Sequence, residues 1–153
     1  MPLYGDFCVR LQNAARARIR SVPVQATKDN LSMAQILLQQ GFIYNVTRGT
    51  LAGPSPATWN KAGIADRRLW IDLKYRMDER PVLGNMSLIS KPSRRLVMDT
   101  GELLRFATGR RAKFVKPLTL GEIGLVNCGS AGWFEVKDAI QRGLGGELVA
   151  RAS

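Results

Sequence analysis

The residues best suited to chemistry lie near the C-terminal end, in Asn127-Cys128-Gly129-Ser130-Ala131-Gly132 and Leu144-Gly145-Gly146-Glu147. They offer small side chains, one hydroxyl, one carboxylate and much bare backbone. That set is poor at breaking bonds. It can present N–H groups and a hydroxyl to the shallow minor groove of an RNA helix, where 2′-hydroxyls and base edges are displayed. Glycines at 129, 132, 145 and 146 let a backbone approach ribose and phosphate; they serve a tight turn equally well. Gly145-Gly146-Glu147 lacks the order and the strand-before, helix-after context of a phosphate loop. Glu147 is an unusual residue to face RNA, so it either accepts nearby N–H groups or pairs with an arginine such as Arg151.

Other chemistries find few residues. The chain has no histidine, which removes the commonest general base and the commonest metal ligand together. Cys8 and Cys128 form no CxxC and make no zinc site alone; a reduced intracellular chain is the favoured reading, with a single disulfide left open. The acids show no metal-ligand spacing. The expectation is a protein that is no enzyme, with no cofactor, no metal and no small-molecule substrate.

Charge points to a polyanion. Lys and Arg number 23 against 12 Asp and Glu, a net +11 with pI near 10.5 over 153 residues. Phosphates match such an excess and release counterions when neutralised. Arg94, Arg95, Arg110, Arg111, Lys113 and Lys116 are candidates for phosphate contact, and no acid interrupts 91–98. Trp59, Trp70 and Trp133 could stack on bases, or, for Trp70, pack on another domain or a partner. No apolar run approaches the roughly 20 residues of a membrane span. The N-terminus lacks a secretory apolar region, so the sequons at Asn45 and Asn85 are expected to stay bare. Arg10, Arg16, Arg18 and Arg20 against the lone acid Asp6 suit an organellar transit segment or an RNA-facing helix.

These groups need a scaffold. Phe7, Leu11 and Ala14 or Ala15 follow helical spacing, giving a helix over about 4–18. Val22-Pro23-Val24 is extended. A second helix spans Asp29 to Gln40, capped by Asp29 or Asn30 and stopped at Gly41. Residues 42–47 read as a strand. From Gly49 to Asp66, Gly, Ala, Pro, Ser and Thr dominate, and a long loop or insertion is expected. Arg67 to Arg76 alternates, with Leu69, Ile71, Leu73 and Tyr75 on one face. Residues 82–90 are its expected antiparallel partner. Lys91-Pro92-Ser93 marks the domain boundary. Then follow a strand near 96–98, a helix behind an Asp99/Glu102 capping box, a basic turn at 109–113, short strands at 114–115 and 123–126, a helix beginning near Phe134 and a last strand. The fold class is α+β: residues 1–90 form an N-terminal α/β domain with the 49–66 insertion, and 91–153 a C-terminal domain rich in β-structure with short helices.

Six motifs in order resemble the eighth small-subunit ribosomal protein family. They are Arg10-Leu11-Gln12-Asn13, Ala26-Thr27-Lys28, Gln39-Gln40-Gly41-Phe42-Ile43, Ser90-Lys91-Pro92-Ser93 followed by Arg95, Cys128-Gly129-Ser130-Ala131-Gly132, and Leu144-Gly145-Gly146-Glu147. The resemblance covers nearly the whole chain. Its insertion and its Arg-Arg-Leu-Trp strand look like fungal mitochondrial members. It departs from the family in the loop, where Ser130 is the one hydroxyl of three, and at Ile140, where bacterial relatives often carry arginine.

The resemblance implies a scaffold in the small ribosomal subunit of the mitochondrial matrix. Its partners would be the central domain of the small-subunit rRNA and neighbouring small-subunit proteins. The implied RNA contacts are Arg10, Asn13, Thr27, Lys28, Lys91, Pro92, Ser93, Arg94, Arg95, Gly129, Ser130, Gly132, Gly145, Gly146 and Glu147. The competing reading of the charge is a basic adaptor that docks on an acidic protein or membrane surface.

Overall fold

Apolar residues at helical spacing bury one face of the first helix, and that face organises the N-terminal part of a computed structural model that describes residues 3–153. Helix α1 (Leu3–Arg16) buries Phe7, Leu11, Ala14 and Ala15. Strand β1 (Ser21–Gln25) follows, then helix α2 (Lys28–Gln39), which buries Met33, Ala34, Ile36 and Leu37. The cap of α2 is Thr27, whose hydroxyl accepts the Asn30 N–H at 3.1 Å, two positions before Asp29 and three before Asn30, the caps expected from sequence. Asn30 instead donates to the Gln25 carbonyl at 3.0 Å and is buried.

Strand β2 (Ile43–Thr50) leads into the segment expected to be irregular. It is ordered structure: strand β3 (Gly53–Pro54), helix α3 (Pro56–Lys61) and a 3-10 turn (Ile64–Asp66). Helix α3 buries no residue, so apolar periodicity could not reveal it. Strand β4 (Arg67–Leu73) then runs antiparallel between β1 and β2, in the sheet order β1-β4-β2-β3. Leu69, Ile71 and Leu73 are buried as the alternation requires. Burying such side chains is worth about 1.5–3 kcal/mol each. Tyr75 lies beyond β4, in an isolated bridge with Pro81.

The N-terminal unit ends at Gly84 and the second begins at Asn85. The reason is strand β5 (Met86–Leu88). It was the expected partner of β4, yet it pairs with the last strand, β9 (Gly146–Ala152), through Met86↔Ala152 and Leu88↔Ala150. Residues 85–90 therefore join the second unit, ahead of the boundary read at Lys91-Pro92-Ser93.

The second unit continues with strand β6 (Val97–Met98) and helix α4 (Thr100–Ala107). Asp99 and Glu102 form the reciprocal capping box in full. Residues 114–115 make no strand, only an isolated bridge between Ala112 and Val115. Strand β7 (Ile123–Asn127) precedes a 3-10 turn (Gly129–Ala131), strand β8 (Trp133–Glu135) and helix α5 (Val136–Gln141). Phe134 is thus in a strand and the helix starts two residues later. The sheet order is β5-β9-β7-β8, with β6 also on β9. Leu96, Met98, Leu103, Phe106, Val126 and Leu148 are among the buried residues that fill this unit.

Candidate nucleic-acid interface

One end of the second sheet gathers three distant stretches of chain around Glu147. The register pairs Glu147 with Asn127 on one side and with Val97 on the other. Gly146 stands opposite Met98. Ser90, fully buried, donates its hydroxyl to Glu147 Oε1 at 2.6 Å and accepts the Leu96 N–H at 3.2 Å. Arg95 reaches Glu147 Oε2 at 3.5 Å. The Glu147 side chain is 14% exposed and that of Arg95 63%, so the carboxylate is held under the surface by a hydroxyl while a solvent-facing arginine offsets its charge. Arg95 is the arginine partner; Arg151 is engaged elsewhere. Arg151 contacts Glu122 at 2.5 Å and the carbonyls of Lys116 and Pro117 at 3.0 Å. Burial pushes the Glu122 carboxyl up, but Arg151 and the Thr119 N–H outweigh it and its pKa lies below the usual value.

The glycines before Glu147 approach the chain's own backbone. A Cβ on Gly146 would fall 2.3 Å from the Asn127 carbonyl oxygen, and one on Gly145 2.8 Å from that of Met98. Their lack of side chains lets the ends of β6 and β7 close on β9. The neighbouring loop is also internally tied. Cys128 N–H donates to the Gly132 carbonyl at 2.8 Å, and the Asn127 side chain accepts the Gly129 N–H at 3.1 Å. Gly129 and Ser130 are exposed on this loop, and Gly132 is half-buried.

Lys91, Pro92, Ser93, Arg94 and Arg95 are all exposed. Reciprocal backbone hydrogen bonds between Lys91 and Arg94, at 3.1 and 2.9 Å, fold them into a tight turn. The Arg94 guanidinium lies 3.5 Å from the centre of the Phe114 ring, which orients the cation without neutralising it. Lys113 is committed to Glu102 at 3.5 Å and to the Val97 carbonyl. Arg110, Arg111 and Lys116 are exposed and take part in none of the ion pairs among the described residues. Eleven of the fifteen sequence-derived contacts thus belong to the second unit, and Glu147 links their three stretches through the sheet register and Ser90.

The other four lie in the first unit, at two places. Arg10 and Asn13 line a hollow beside β1, where Arg10 also donates to the Pro23 carbonyl at 3.2 Å and meets Asp6 at 3.6 Å. Thr27 and Lys28 line another hollow at the start of α2. The Thr27 hydroxyl already accepts the helix N–H as a cap.

Ser90, Asn127 and Phe114 hold the interface and were not among the sequence-derived contacts. Ser90 opens one of the six motifs and Asn127 borders another, so their positions were visible but their bonds were not. Both cysteines are free; burial pushes the Cys8 thiol up to about 12 and raises that of Cys128 as well, which leaves little thiolate for chemistry. Among the described residues no group of three or more Cys, Asp or Glu is placed to hold a metal, and no helix is long and apolar enough to cross a membrane.

A family model described as Ribosomal protein S8 matches residues 3–152. The chain is 38% identical over 143 residues to "Small ribosomal subunit protein uS8m" of Schizosaccharomyces pombe, spanning 92% of this chain and 93% of that one. It is 39% identical over 154 residues to the protein of the same name from Neurospora crassa, spanning 95% and 94%. A bacterial relative, "Small ribosomal subunit protein uS8" of Finegoldia magna, is 33% identical over 148 residues, spanning 95% and 92%.

Proposed function

This chain belongs to the ribosomal protein S8 family, and from that premise we propose that it is a structural constituent of the mitochondrial small ribosomal subunit that clamps the central domain of the small-subunit rRNA and supports subunit assembly. It works by binding and not as an enzyme. The observation that carries this reading is the convergence on Glu147 of the 90–95 turn, the 127–132 loop and the 145–147 strand start. The exposed turn supplies cations for phosphates, and the loop supplies Ser130 and bare backbone for the minor groove. Glu147 acts as the internal tie that keeps these elements in register, screened from phosphate by Arg95. Arg10, Asn13, Thr27 and Lys28 add contacts from the first unit, and residues 1–84 and 85–153 serve as its two working halves. The mitochondrial assignment is drawn from the fungal relatives named uS8m.

The test is binding of the full chain to a central-domain rRNA fragment as salt is varied. With roughly 6 phosphate contacts, affinity should fall on the order of a thousandfold between 50 and 200 mM salt. Ser130→Ala should weaken binding by roughly 5-fold, the worth of one hydrogen bond, and leave the salt slope unchanged because no charge is removed. A flat salt response would sink the reading.

A further inference from the structure

The insertion between β2 and β4 builds a feature that the C-terminal interface does not use. Helix α3 carries Trp59 within reach of two arginines from different strands. The Arg48 guanidinium lies 5.4 Å from the centre of the Trp59 ring, and that of Arg67 5.2 Å. Arg48 comes from β2 and Arg67 from the first position of β4, where the register sets Thr50 opposite Arg67 and Arg48 opposite Leu69. Gly49 permits this corner. A Cβ there would lie 2.4 Å from the Gly53 carbonyl oxygen and 2.8 Å from the Trp70 ring, so no larger residue fits where β2 turns into β3. Trp70 fixes the same corner by donating its indole N–H to the Thr50 carbonyl at 2.8 Å.

These groups line a hollow of about 310 Å³ together with Thr27 and Lys28 at the start of α2. No carboxylate lines it. Lys28, Arg48 and Arg67 enter none of the ion pairs among the described residues, and Arg67 Nε is buried with no hydrogen-bond partner. Three cations therefore share one concavity without an acid to balance them. The aromatic ring lowers the cost of bringing two guanidiniums together, because its face attracts cations and restricts their rotamers. The start of the 12-residue helix α2 adds a partial positive charge.

From this geometry we propose that the Arg48–Trp59–Arg67 hollow binds a phosphodiester of the rRNA strand, a second anchor made by the insertion and separate in sequence from the C-terminal interface. Guanidinium forks match phosphate oxygens in pairs, and an anion there relieves the repulsion among the three cations. Trp59 is a positioning residue: it holds the forks and need not touch the phosphate. The proposal rests on the rRNA-binding reading above and adds Arg48 and Arg67 to the contacts it gives the first unit, whose sequence holds 12 basic against 6 acidic residues.

The experiment uses the full chain and a transcript of the complete mitochondrial small-subunit rRNA, with affinity measured between 50 and 200 mM salt. Arg48 is exposed, so Arg48→Ala tests the anchor without risk to the core. It should reduce the salt slope by about 0.9, shrinking the affinity lost across that range by a factor of about 3.5. Trp59→Ala should reproduce that loss and Trp59→Phe should restore it, which a merely structural role of either arginine would not do. If the wild-type chain shows no salt-dependent binding, the rRNA reading and this anchor fall together. If the wild type is salt-dependent and Arg48→Ala keeps its affinity and slope, only the anchor is overturned. The same holds if the variant binds RNA normally and fails only to enter the subunit, because the hollow would then meet an acidic protein.

Discussion

Glu147 shows how a single acid can sit at a surface that we propose meets a polyanion. Left in solvent, its charge would repel phosphate. Here the Ser90 hydroxyl donates to it from a fully buried position, and Arg95 covers it from the solvent side. The Arg95 pair is largely exposed and worth little on its own. The Ser90 bond matters more because removing it strands two partners, the carboxylate and the Leu96 N–H that the same oxygen accepts. Ser90→Ala should therefore lower stability by about 1–3 kcal/mol, the cost of leaving buried polar groups unpaired. Urea unfolding of the two proteins measures this. An unchanged midpoint would mean that solvent replaces the hydroxyl and that Glu147 is not held as described. Such a bond joins residues 57 positions apart, and nothing in residue type or spacing announces it.

At the scale of elements, the junction of β8 and α5 carries the sharpest tension. Glu135 ends the strand and caps the helix by accepting the Lys137 N–H at 2.9 Å, yet it is 4% exposed and its Oε1 has no partner. Burial raises its pKa above the ordinary 4.5, and the Lys137 N–H only partly offsets that. A carboxyl whose folded pKa is raised costs stability once it ionises. The cost is absent below the unfolded value and complete above the folded one. Glu135→Gln keeps the capping acceptor and removes the charge. It should be more stable than wild type at pH 7, with the gap narrowing as the pH falls from the raised folded value towards 4.5 and absent below it. Equal gaps at pH 7 and pH 4 would remove burial of the charge as the cause. Elements were legible wherever their signal was local. The Asp99/Glu102 box, the helix stop at Gly41 and the alternation over Leu69, Ile71 and Leu73 all stand in the structure. Helix α3 was not legible because it buries nothing, and β8 was read as helix because three residues are too few to display a period. The pairing of β5 with β9 was missed for a different reason: alternation tells which face of a strand is buried, not which strand lies beside it.

Across the molecule, the excess charge is divided almost evenly. The stretch to Gly84 holds 12 basic and 6 acidic residues, and the stretch from Asn85 holds 11 and 6. A protein that met rRNA through its C-terminal surface alone would have little use for a basic first unit. Net charge and the six ordered motifs made an RNA-binding role legible from sequence, and four of the motif-derived contacts do lie in the first unit. The Arg48–Trp59–Arg67 cluster was not legible, because its members are 8 to 19 positions apart and meet only through a strand register and a turn of helix. Two independent anchors make a quantitative demand. Arg48 and Ser130 share no partner among the described contacts, so their losses in rRNA affinity should add when Arg48→Ala and Ser130→Ala are combined, within about 0.5 kcal/mol. The salt slope of the double variant should equal that of Arg48→Ala alone, since only one charge has gone. The measurement is a double-mutant cycle on the full chain at fixed salt. A coupling above about 1 kcal/mol would mean that both residues act on one contact, or that loss of either lets the RNA dissociate from the other. Additivity would establish that the insertion contributes its own grip, and that the basic first unit takes a direct share of the binding.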